Sequence, residues 1–168
     1  MKPIVIATLL LTGTACVRRV ETGSSTPTIL EVRNAAGAAV GTLTFRTTSA
    51  GLNIAGTLTG LPVGTHGIHL HQVGRCEGPD FTTAGAHLNP AAAKHGLENP
   101  AGPHAGDLPN ITVNSAGVGQ VDMTTKRITM SELFDADGSA IVVHAAADDQ
   151  RTDPSGSSGA RIACGIVR

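Results

Sequence analysis

Five of the chain's seven histidines fall within one stretch, Gly67–Leu108, and this density constrains the fold more than any other feature. The stretch is also rich in glycine, proline and alanine, which favours turns and loops over long helices. Asp107 follows three residues after the last of these histidines. Imidazoles and a carboxylate gathered in one loop are typical ligands of zinc and copper. The stretch is therefore predicted to bind metal, with the rest of the chain as its scaffold.

Two of these histidines, His69 and His71, are separated by Leu70 alone. Residues two apart on a β-strand point to the same face, so the two imidazoles would lie together, opposite Leu70. His144 ends an apolar, strand-like run, IVVH, and can join the pair from a neighbouring strand, although such a histidine taken alone is more often a core or rim residue. His66 has the opposite strand phase, and we interpret it as a hydrogen-bonding turn residue and not as a ligand.

The remaining histidines of the stretch have a spacing typical of a second metal site. His87, His95, His104 and Asp107 follow the pattern H-x7-H-x8-H-x2-D. Three imidazoles and one carboxylate make a closed four-coordinate set, which suits a structural zinc ion. A closed set leaves no position for an activated water molecule, so the pattern argues against a zinc hydrolase.

The rest of the chain reads as short strands joined by turns. Its 21 glycines and 9 prolines, and an aromatic content of 2%, favour an antiparallel sandwich or barrel with an aliphatic core. Two connections, Gly74–Pro109 and Ala145–Ala160, are too long for turns, and such loops are usually functional. The eight strand-like segments are Thr28–Arg33, Val40–Thr47, Leu52–Leu61, Gly64–Val73, Ile111–Val113, Gly119–Thr125, Ile141–His144 and Arg161–Val167.

The N-terminus has the pattern of an export signal. The apolar run Ile4–Leu11 follows a lysine and is far shorter than the ~20 residues that cross a bilayer. Small residues precede Cys16, as in a bacterial lipobox, so we expect residues 1–15 to be a signal peptide and Cys16 to be lipidated. Conventional cleavage after Ala15 is the alternative. With Cys16 lipidated, residues 16–27 would tether a folded domain, residues 28–168, to a membrane of the cell envelope.

Net charge and cysteine content limit the class of binding partner and the cellular compartment that suit this chain. The formal net charge is −1 and no basic stripe is present, which argues against nucleic-acid binding. Apart from Cys16, the chain has two cysteines, Cys76 and Cys164, an even pair that suits one disulfide in an oxidising compartment.

Together the motifs resemble those of the copper, zinc superoxide dismutases. They are G-T-H-G-I-H-L-H, A-G-A-H-L-N-P, K-H-G, G-P-H-A-G-D-L, V-V-H-A and G-A-R-I-A-C-G, and they fall in family order between Thr28 and Arg168. The resemblance implies an all-β fold, an eight-stranded antiparallel Greek-key β-barrel with two long functional loops. It also implies one copper and one zinc ion per subunit, and dismutation of the superoxide anion to molecular oxygen and hydrogen peroxide.

The resemblance assigns roles to individual residues. Asp148 would link a copper-ligand and a zinc-ligand histidine, Arg161 would lie beside the copper, and Cys76 and Cys164 would form the family disulfide. His87 would bridge the two metals as an imidazolate. The implied copper ligands are His69, His71, His87 and His144, and the implied zinc ligands are His87, His95, His104 and Asp107.

Two expectations stay open at this point. Only four residues separate His71 from Cys76, which resembles the bacterial secreted branch, so a homodimer interface cannot be transferred from the eukaryotic enzymes. A non-catalytic copper- or zinc-binding envelope lipoprotein is the alternative function. Such a protein would be expected to lack a copper ligand, the bridging histidine or Arg161, all of which this chain has. Arg151, in the second long loop, is a further candidate for attracting the anion.

Overall fold

The computed structural model describes residues 26–168. The predicted signal peptide, Cys16 and all but the last two residues of the predicted tether lie outside the described residues. Within residues 26–168, no helix is long and apolar enough to span a membrane. The strands are β1 (Thr28–Asn34), β2 (Ala39–Thr48), β3 (Gly51–Thr59), β4 (Gly64–His66), β5 (Ile68–His71), β6 (Ile111–Val113), β7 (Val118–Thr125), β8 (Ser139–His144) and β9 (Arg161–Val167).

These nine strands form one antiparallel sheet in the order β4-β6-β7-β3-β2-β1-β9-β8-β5, which curls into a nearly closed barrel. The two edge strands, β4 and β5, follow each other along the chain with only Gly67 between them. β3 and β4 are consecutive in the chain but are separated in the sheet by β7 and β6. Such a long return is of the Greek-key type. The predicted all-β Greek-key barrel is therefore confirmed.

The barrel has nine strands and not the predicted eight, because the predicted strand Gly64–Val73 is divided at Gly67. β4 pairs with β6, whereas β5 pairs with β8, so the chain changes partner at this residue. Gly67 donates its N–H to Ala146 O at 2.8 Å. A Cβ on Gly67 would lie 3.0 Å from Ser158 Cβ and 3.2 Å from Asp148 Cβ. Glycine at this position lets the second long loop pack directly against the strand junction.

The barrel interior is filled by aliphatic side chains that alternate with exposed residues along the strands. Leu43 and Phe45 of β2 and Ile54 of β3 are fully buried there. β5 is buried along its whole length: Ile68 and Leu70 join this core, and the imidazoles of β5 lie on the other face. The core therefore anchors the strand that presents the first two histidines.

β8 is buried on both faces, which is unusual for an antiparallel barrel strand. Ile141 and Val143 point into the barrel core, and Val142 packs in a second, smaller cluster. That cluster contains Phe81, from the loop of residues 72–110, and Cys164 of β9. The loop thus covers the outside of β8 and completes the burial of the strand that ends at His144.

The structure also contains two short helical segments that we did not predict. A 3-10 turn spans Thr82–Ala84, and the helix α1 spans Met130–Leu133. At the N-terminus of α1, Thr129 and Glu132 form a capping box, and Glu132 Oε2 accepts the backbone N–H of Thr129 at 2.8 Å. The spacing T-x-x-E in the sequence is the signal for this helix start.

Candidate metal centre

Four buried histidines converge at one end of β5 and β8, and we call them the four-histidine group. Two come from β5, one from the loop of residues 72–110, and one from the end of β8. The backbone of His87 is held beside that of His71 by an isolated β-bridge. Each side chain offers one ring nitrogen, and these nitrogens all lie within 4.8 Å of one another. The members of the four-histidine group are His69, His71, His87 and His144.

The outer ring nitrogens of this group are tied to acceptors, which orients the inner ones. His71 Nδ1 lies 2.9 Å from Gly85 O, and His144 Nδ1 lies 3.2 Å from Gly159 O. A carbonyl oxygen only accepts, so each Nδ1 carries the hydrogen and each Nε2 keeps its lone pair. His69 Nε2 donates in the same way to Asp148 Oδ2 at 2.7 Å, leaving its Nδ1 as the free atom.

The electrostatic environment keeps the imidazoles of this group neutral at physiological pH. Burial, reinforced by the neighbouring imidazole of His69, lowers the pKa of His144 to about 3. Burial also lowers the pKa of His87 to about 4, although the hydrogen bond that His87 donates to Asp107 opposes it. The pKa of His71 lies well below its ordinary value, because burial, and after it electrostatic repulsion from the His87 imidazole, disfavours the protonated ring. Neutral imidazoles with a free lone pair are the form that binds a metal ion.

The second cluster, which we call the histidine–aspartate group, surrounds one carboxylate oxygen. Asp107 Oδ1 lies 3.0 Å from His87 Nδ1, 3.0 Å from His95 Nδ1 and 3.2 Å from His104 Nδ1. Asp107 Oδ2 accepts the backbone N–H groups of Gly96 at 2.8 Å and of His104 at 2.9 Å. The backbone thereby turns Oδ1 towards the three imidazoles. The members are His87, His95, His104 and Asp107.

His95 has an environment unlike that of the four-histidine group. Burial alone would lower its pKa, but the close contacts and charges of Asp107 and Asp148 outweigh it and raise the pKa to about 9. Contacts with His87 first, and then with His95 and the Gly96 N–H, hold the pKa of the Asp107 carboxyl far below its ordinary value against the effect of burial. Two carboxylates around one imidazole create a site that favours positive charge, whether a proton or a metal ion supplies it.

The donor set fits two metal ions. Among residues 26–168, six buried ring nitrogens in these groups have no hydrogen-bond partner, and each faces the interior of its group. A buried polar atom without a partner is energetically unfavourable, by about 1–3 kcal/mol for a neutral group, so six such atoms together need a ligand. They are His69 Nδ1, His71 Nε2, His87 Nε2, His144 Nε2, His95 Nδ1 and His104 Nδ1.

Asp148 connects the two groups from the second long loop. Its Oδ2 accepts from His69 Nε2, and its Oδ1 lies 3.0 Å from His95 Nε2. The backbone of Asp148 is held in turn by the side chain of Asn110, which accepts the Asp148 N–H at 2.9 Å and donates to Asp148 O at 2.8 Å. Asn110, just before β6, was not singled out in the sequence, because an asparagine before a strand has no distinguishing signal.

Arg161, the first residue of β9, lies beside the four-histidine group. Its Nη1 donates to Phe81 O at 2.6 Å, and its Nη2 donates to Gly85 O at 2.7 Å. Gly85 O also accepts from His71 Nδ1, so one carbonyl fixes both the guanidinium and an imidazole. The Cys76–Cys164 disulfide is present and joins this loop to β9. Neither acceptor can be recognised in a sequence, because both are backbone atoms.

Two further residues, His66 and Arg151, have contacts that bear on the roles expected from the sequence. Both ring nitrogens of His66 lie 2.8 Å from a backbone carbonyl oxygen, that of His144 or that of Pro62, but the residue lies in β4 and not in a turn. Arg151 is paired with Glu98 through Nε at 2.9 Å and Nη2 at 2.6 Å. A paired arginine has less charge to offer an approaching anion than a free one.

Comparison with known proteins shows that this chain is similar to copper/zinc superoxide dismutases in sequence and in fold. A family model described as copper/zinc superoxide dismutase (SODC) matches residues 39–167. Superoxide dismutase (Cu-Zn) 1 of Aquifex aeolicus (strain VF5) is 38% identical over 144 residues, which are 82% of this chain and 85% of that protein. The crystal structure of a SOD-like protein from Bacillus subtilis superposes with a TM-score of 0.78 at 40% identity, covering 83% of this chain and 97% of that one. For a Cu/Zn superoxide dismutase from Brucella abortus, the TM-score is 0.73 at 26% identity, covering 85% and 100%.

Proposed function

Because the chain belongs to the copper/zinc superoxide dismutase family, we propose that it dismutates superoxide to molecular oxygen and hydrogen peroxide in the cell envelope. The observation that supports this most strongly is the set of six partnerless ring nitrogens, which form two groups sharing His87. The family uses copper and zinc. A non-catalytic binding protein would need neither a shared histidine nor a fixed cation beside the site.

The two groups differ in the chemistry they suit. Four neutral imidazoles suit copper, and three imidazoles with a carboxylate suit zinc. When bound, copper supplies reversible one-electron chemistry, which zinc lacks. We assign copper to the four-histidine group and zinc to the histidine–aspartate group. Zinc has a structural role in this proposal, because its four ligands leave no open position.

The two ring nitrogens of His87 face the two groups, one each, which supports a bridging role. Its Nδ1 faces Asp107 Oδ1 at 3.0 Å, and its buried Nε2 belongs to the four-histidine group. Production of hydrogen peroxide consumes two protons. His87 Nε2, which would be one donor to copper, is also placed to hold one of these protons, so that proton delivery would occur within the site.

Arg161 would bind and orient the superoxide anion. Both of its terminal nitrogens are fixed by carbonyl groups of the loop that carries His87, so the cation cannot move away from the site. With two divalent metals, Asp107, Asp148, an imidazolate and Arg161, the local charge would be about +2 in a chain of net charge −1. Steering of the anion by such a field is already established for superoxide dismutases.

The deciding experiment measures copper and zinc content and the dismutation rate of the purified, metal-loaded protein beside His87→Ala and Arg161→Gln. We expect one ion of each metal in the wild type. His87→Ala should lose most activity, and Arg161→Gln should keep both metals but react more slowly. Bound copper without activity in the wild type would support the non-catalytic alternative. Full activity of His87→Ala would contradict the bridging role.

We also propose that the protein is exported and anchored in the envelope through a lipid at Cys16. Mass spectrometry of the mature N-terminus tests this directly, since lipidation and cleavage after Ala15 give different masses. Expression of Cys16→Ala should release the protein into the soluble periplasmic or extracellular fraction without changing its specific activity. A membrane-bound Cys16→Ala protein would contradict the anchor. Whether the protein forms a homodimer is a separate question, which sedimentation velocity of the purified protein tests.

A further inference from the structure

Asp153, in the second long loop, contacts the histidine–aspartate group from outside. Its Oδ1 accepts the backbone N–H of His95 at 2.8 Å and lies 3.9 Å from His104 Nε2. Its Oδ2 pairs with Lys94 Nζ at 3.0 Å. We propose that Asp153 is a positioning residue for zinc binding, which holds His95 and His104 in their ligand orientations. This inference rests on the proposed zinc site.

The contacts of His95 show why a third carboxylate matters. Its Nδ1 faces Asp107, and its Nε2 faces Asp148. These two contacts orient the ring but leave the position of the backbone free. Asp153 fixes the backbone N–H and so sets how deeply the ring reaches into the group. A ligand that is held at both the backbone and the ring needs little reordering when zinc binds.

The second contact concerns His104. Its Nδ1 faces Asp107 Oδ1, so its Nε2 is the outward nitrogen. When Nδ1 gives its lone pair to a metal, Nε2 carries the hydrogen, and the ring gains positive charge there. Asp153 Oδ1 at 3.9 Å is too far for a hydrogen bond but close enough for electrostatic stabilisation of this form.

Asp153 differs from the other contacts between the two long loops. Glu98 pairs with Arg151, and Glu98 N donates to Gln150 O at 3.0 Å. These contacts join the loops without touching a member of either group. The Asp153–Lys94 pair is itself partly exposed, with the Asp153 side chain 39% accessible, and such a pair alone contributes little. The effect of Asp153 should therefore come from its contacts with His95 and His104.

Four variants separate these contributions. Asp153→Ala removes every contact, whereas Asp153→Asn keeps an oxygen acceptor for the His95 N–H and loses the charge. Lys94→Met removes only the exposed ion pair. Glu98→Gln is the matched control, because it weakens a carboxylate contact between the same two loops without touching a metal-binding residue. Far-UV circular dichroism and the disulfide content establish that each variant is folded.

The measurement is the rate of zinc release from metal-loaded protein into an excess of a chromogenic chelator. We expect Asp153→Ala to release zinc about 10-fold faster, the lower end of what supporting residues of metal sites contribute. Asp153→Asn should fall between it and the wild type, and Lys94→Met and Glu98→Gln should stay within about 2-fold of the wild type. With Co²⁺ in the zinc site, the visible absorption spectrum of Asp153→Ala should shift, which a general loss of stability would not produce.

The outcomes distinguish this inference from the proposed function. Wild-type release rates and an unchanged cobalt spectrum in Asp153→Ala and Asp153→Asn would overturn the role of Asp153 while leaving the zinc site intact. Equal acceleration in Glu98→Gln and Asp153→Ala would also overturn it, because any contact between the loops would then suffice. A wild-type protein that binds no zinc would contradict the proposed function itself.

Discussion

At the residue scale, the two ring nitrogens of an imidazole in the metal centre have different roles. In His71 and His144, one ring nitrogen donates to a backbone carbonyl and the other remains free. In His69 and His95 the same task falls to the two oxygens of Asp148. Backbone and carboxylate acceptors thus orient these rings before any metal arrives, and in His69, His71 and His144 they also choose the tautomer, which reduces the reorganisation that binding requires.

The pKa of His95 leads to a testable pH dependence of zinc affinity. Because Asp107 and Asp148 raise this pKa to about 9 against the effect of burial, the imidazole is protonated at pH 7, and zinc must displace that proton. Affinity should therefore rise about tenfold per pH unit from pH 7 and level off above about pH 9. Competition with a chelator of known pH dependence measures it.

The control for this effect is Asp148→Asn, which removes one of the two charges that stabilise protonated His95. Its affinity curve should level off at a lower pH than that of the wild type. An affinity that does not change between pH 7 and 9 in the wild-type protein would show that His95 is already neutral at pH 7.

At the element scale, the two long loops are packed so closely that there is no room for a methyl group at Gly156. Gly156 has φ +63°, and a Cβ there would lie 1.7 Å from Asp148 Oδ1 and 2.8 Å from His95 Nε2. Gly159, in the same loop, has φ +77°, but its nearest neighbour would be 3.8 Å away. Alanine costs about 1–2 kcal/mol in this left-handed conformation at either position. The two positions therefore differ mainly in how much room each leaves for a Cβ atom.

We therefore expect Gly156→Ala and Gly159→Ala to have different effects. Gly159→Ala should lower the free energy of unfolding by about 1–2 kcal/mol and retain copper and zinc. Gly156→Ala should in addition displace Asp148 and lose metal on dialysis against a weak chelator. Metal analysis after dialysis and urea denaturation measure the two effects. Equal metal loss in both variants would mean that backbone strain, and not contact with Asp148, is responsible.

The disulfide is the covalent counterpart of this loop packing. Cys76 and Cys164 are 88 residues apart, and closing a loop of that length stabilises a fold by about 4–5 kcal/mol in the chain-entropy model. We expect Cys76→Ser with Cys164→Ala to lower the unfolding free energy by up to that amount. Activity should fall as well, because the loop carrying the two carbonyl acceptors of Arg161 would no longer be tied to β9. Urea denaturation and the dismutation rate of the two proteins, compared side by side, measure these losses, and unchanged values of both would contradict the expectation.

The sequence predicted the elements better than the contacts between them. Alternation of apolar residues located the barrel strands, and the unusual length of two connections identified the functional loops. The division at Gly67 was not predictable, because it depends on which strands pair with β4 and β5. Asp153 was missed because an acidic residue before a proline is usually a solvated loop charge. Only the fold brings it to His95.

At the scale of the whole molecule, charge is distributed unevenly around the centre. The chain has a net charge of −1, yet Arg161 is fixed beside the four-histidine group by two carbonyls. Arg151 and Lys94, on the loops that meet there, are paired with Glu98 and Asp153. Within residues 26–168, Arg161 is thus held beside the four-histidine group as a cation without a carboxylate partner, whereas Arg151 and Lys94 are each paired with a carboxylate. Attraction of an anion should depend on Arg161 and the metals far more than on the loop surface.

This arrangement predicts how salt affects the dismutation rate. Added salt shortens the Debye length from about 10 Å at 0.1 M to about 3 Å at 1 M, so the rate should fall as ionic strength rises. Arg161→Gln should lower the rate and flatten its salt dependence, since the fixed cation is lost. Arg151→Gln is the matched control: it should change both quantities little, because the charge of Arg151 is already offset by Glu98. Stopped-flow measurement of superoxide decay from 0.01 to 1 M salt gives both slopes. If the two variants flattened the salt dependence equally, the loop surface would contribute to attraction as much as the site, and the pairing of Arg151 with Glu98 would not hold in solution.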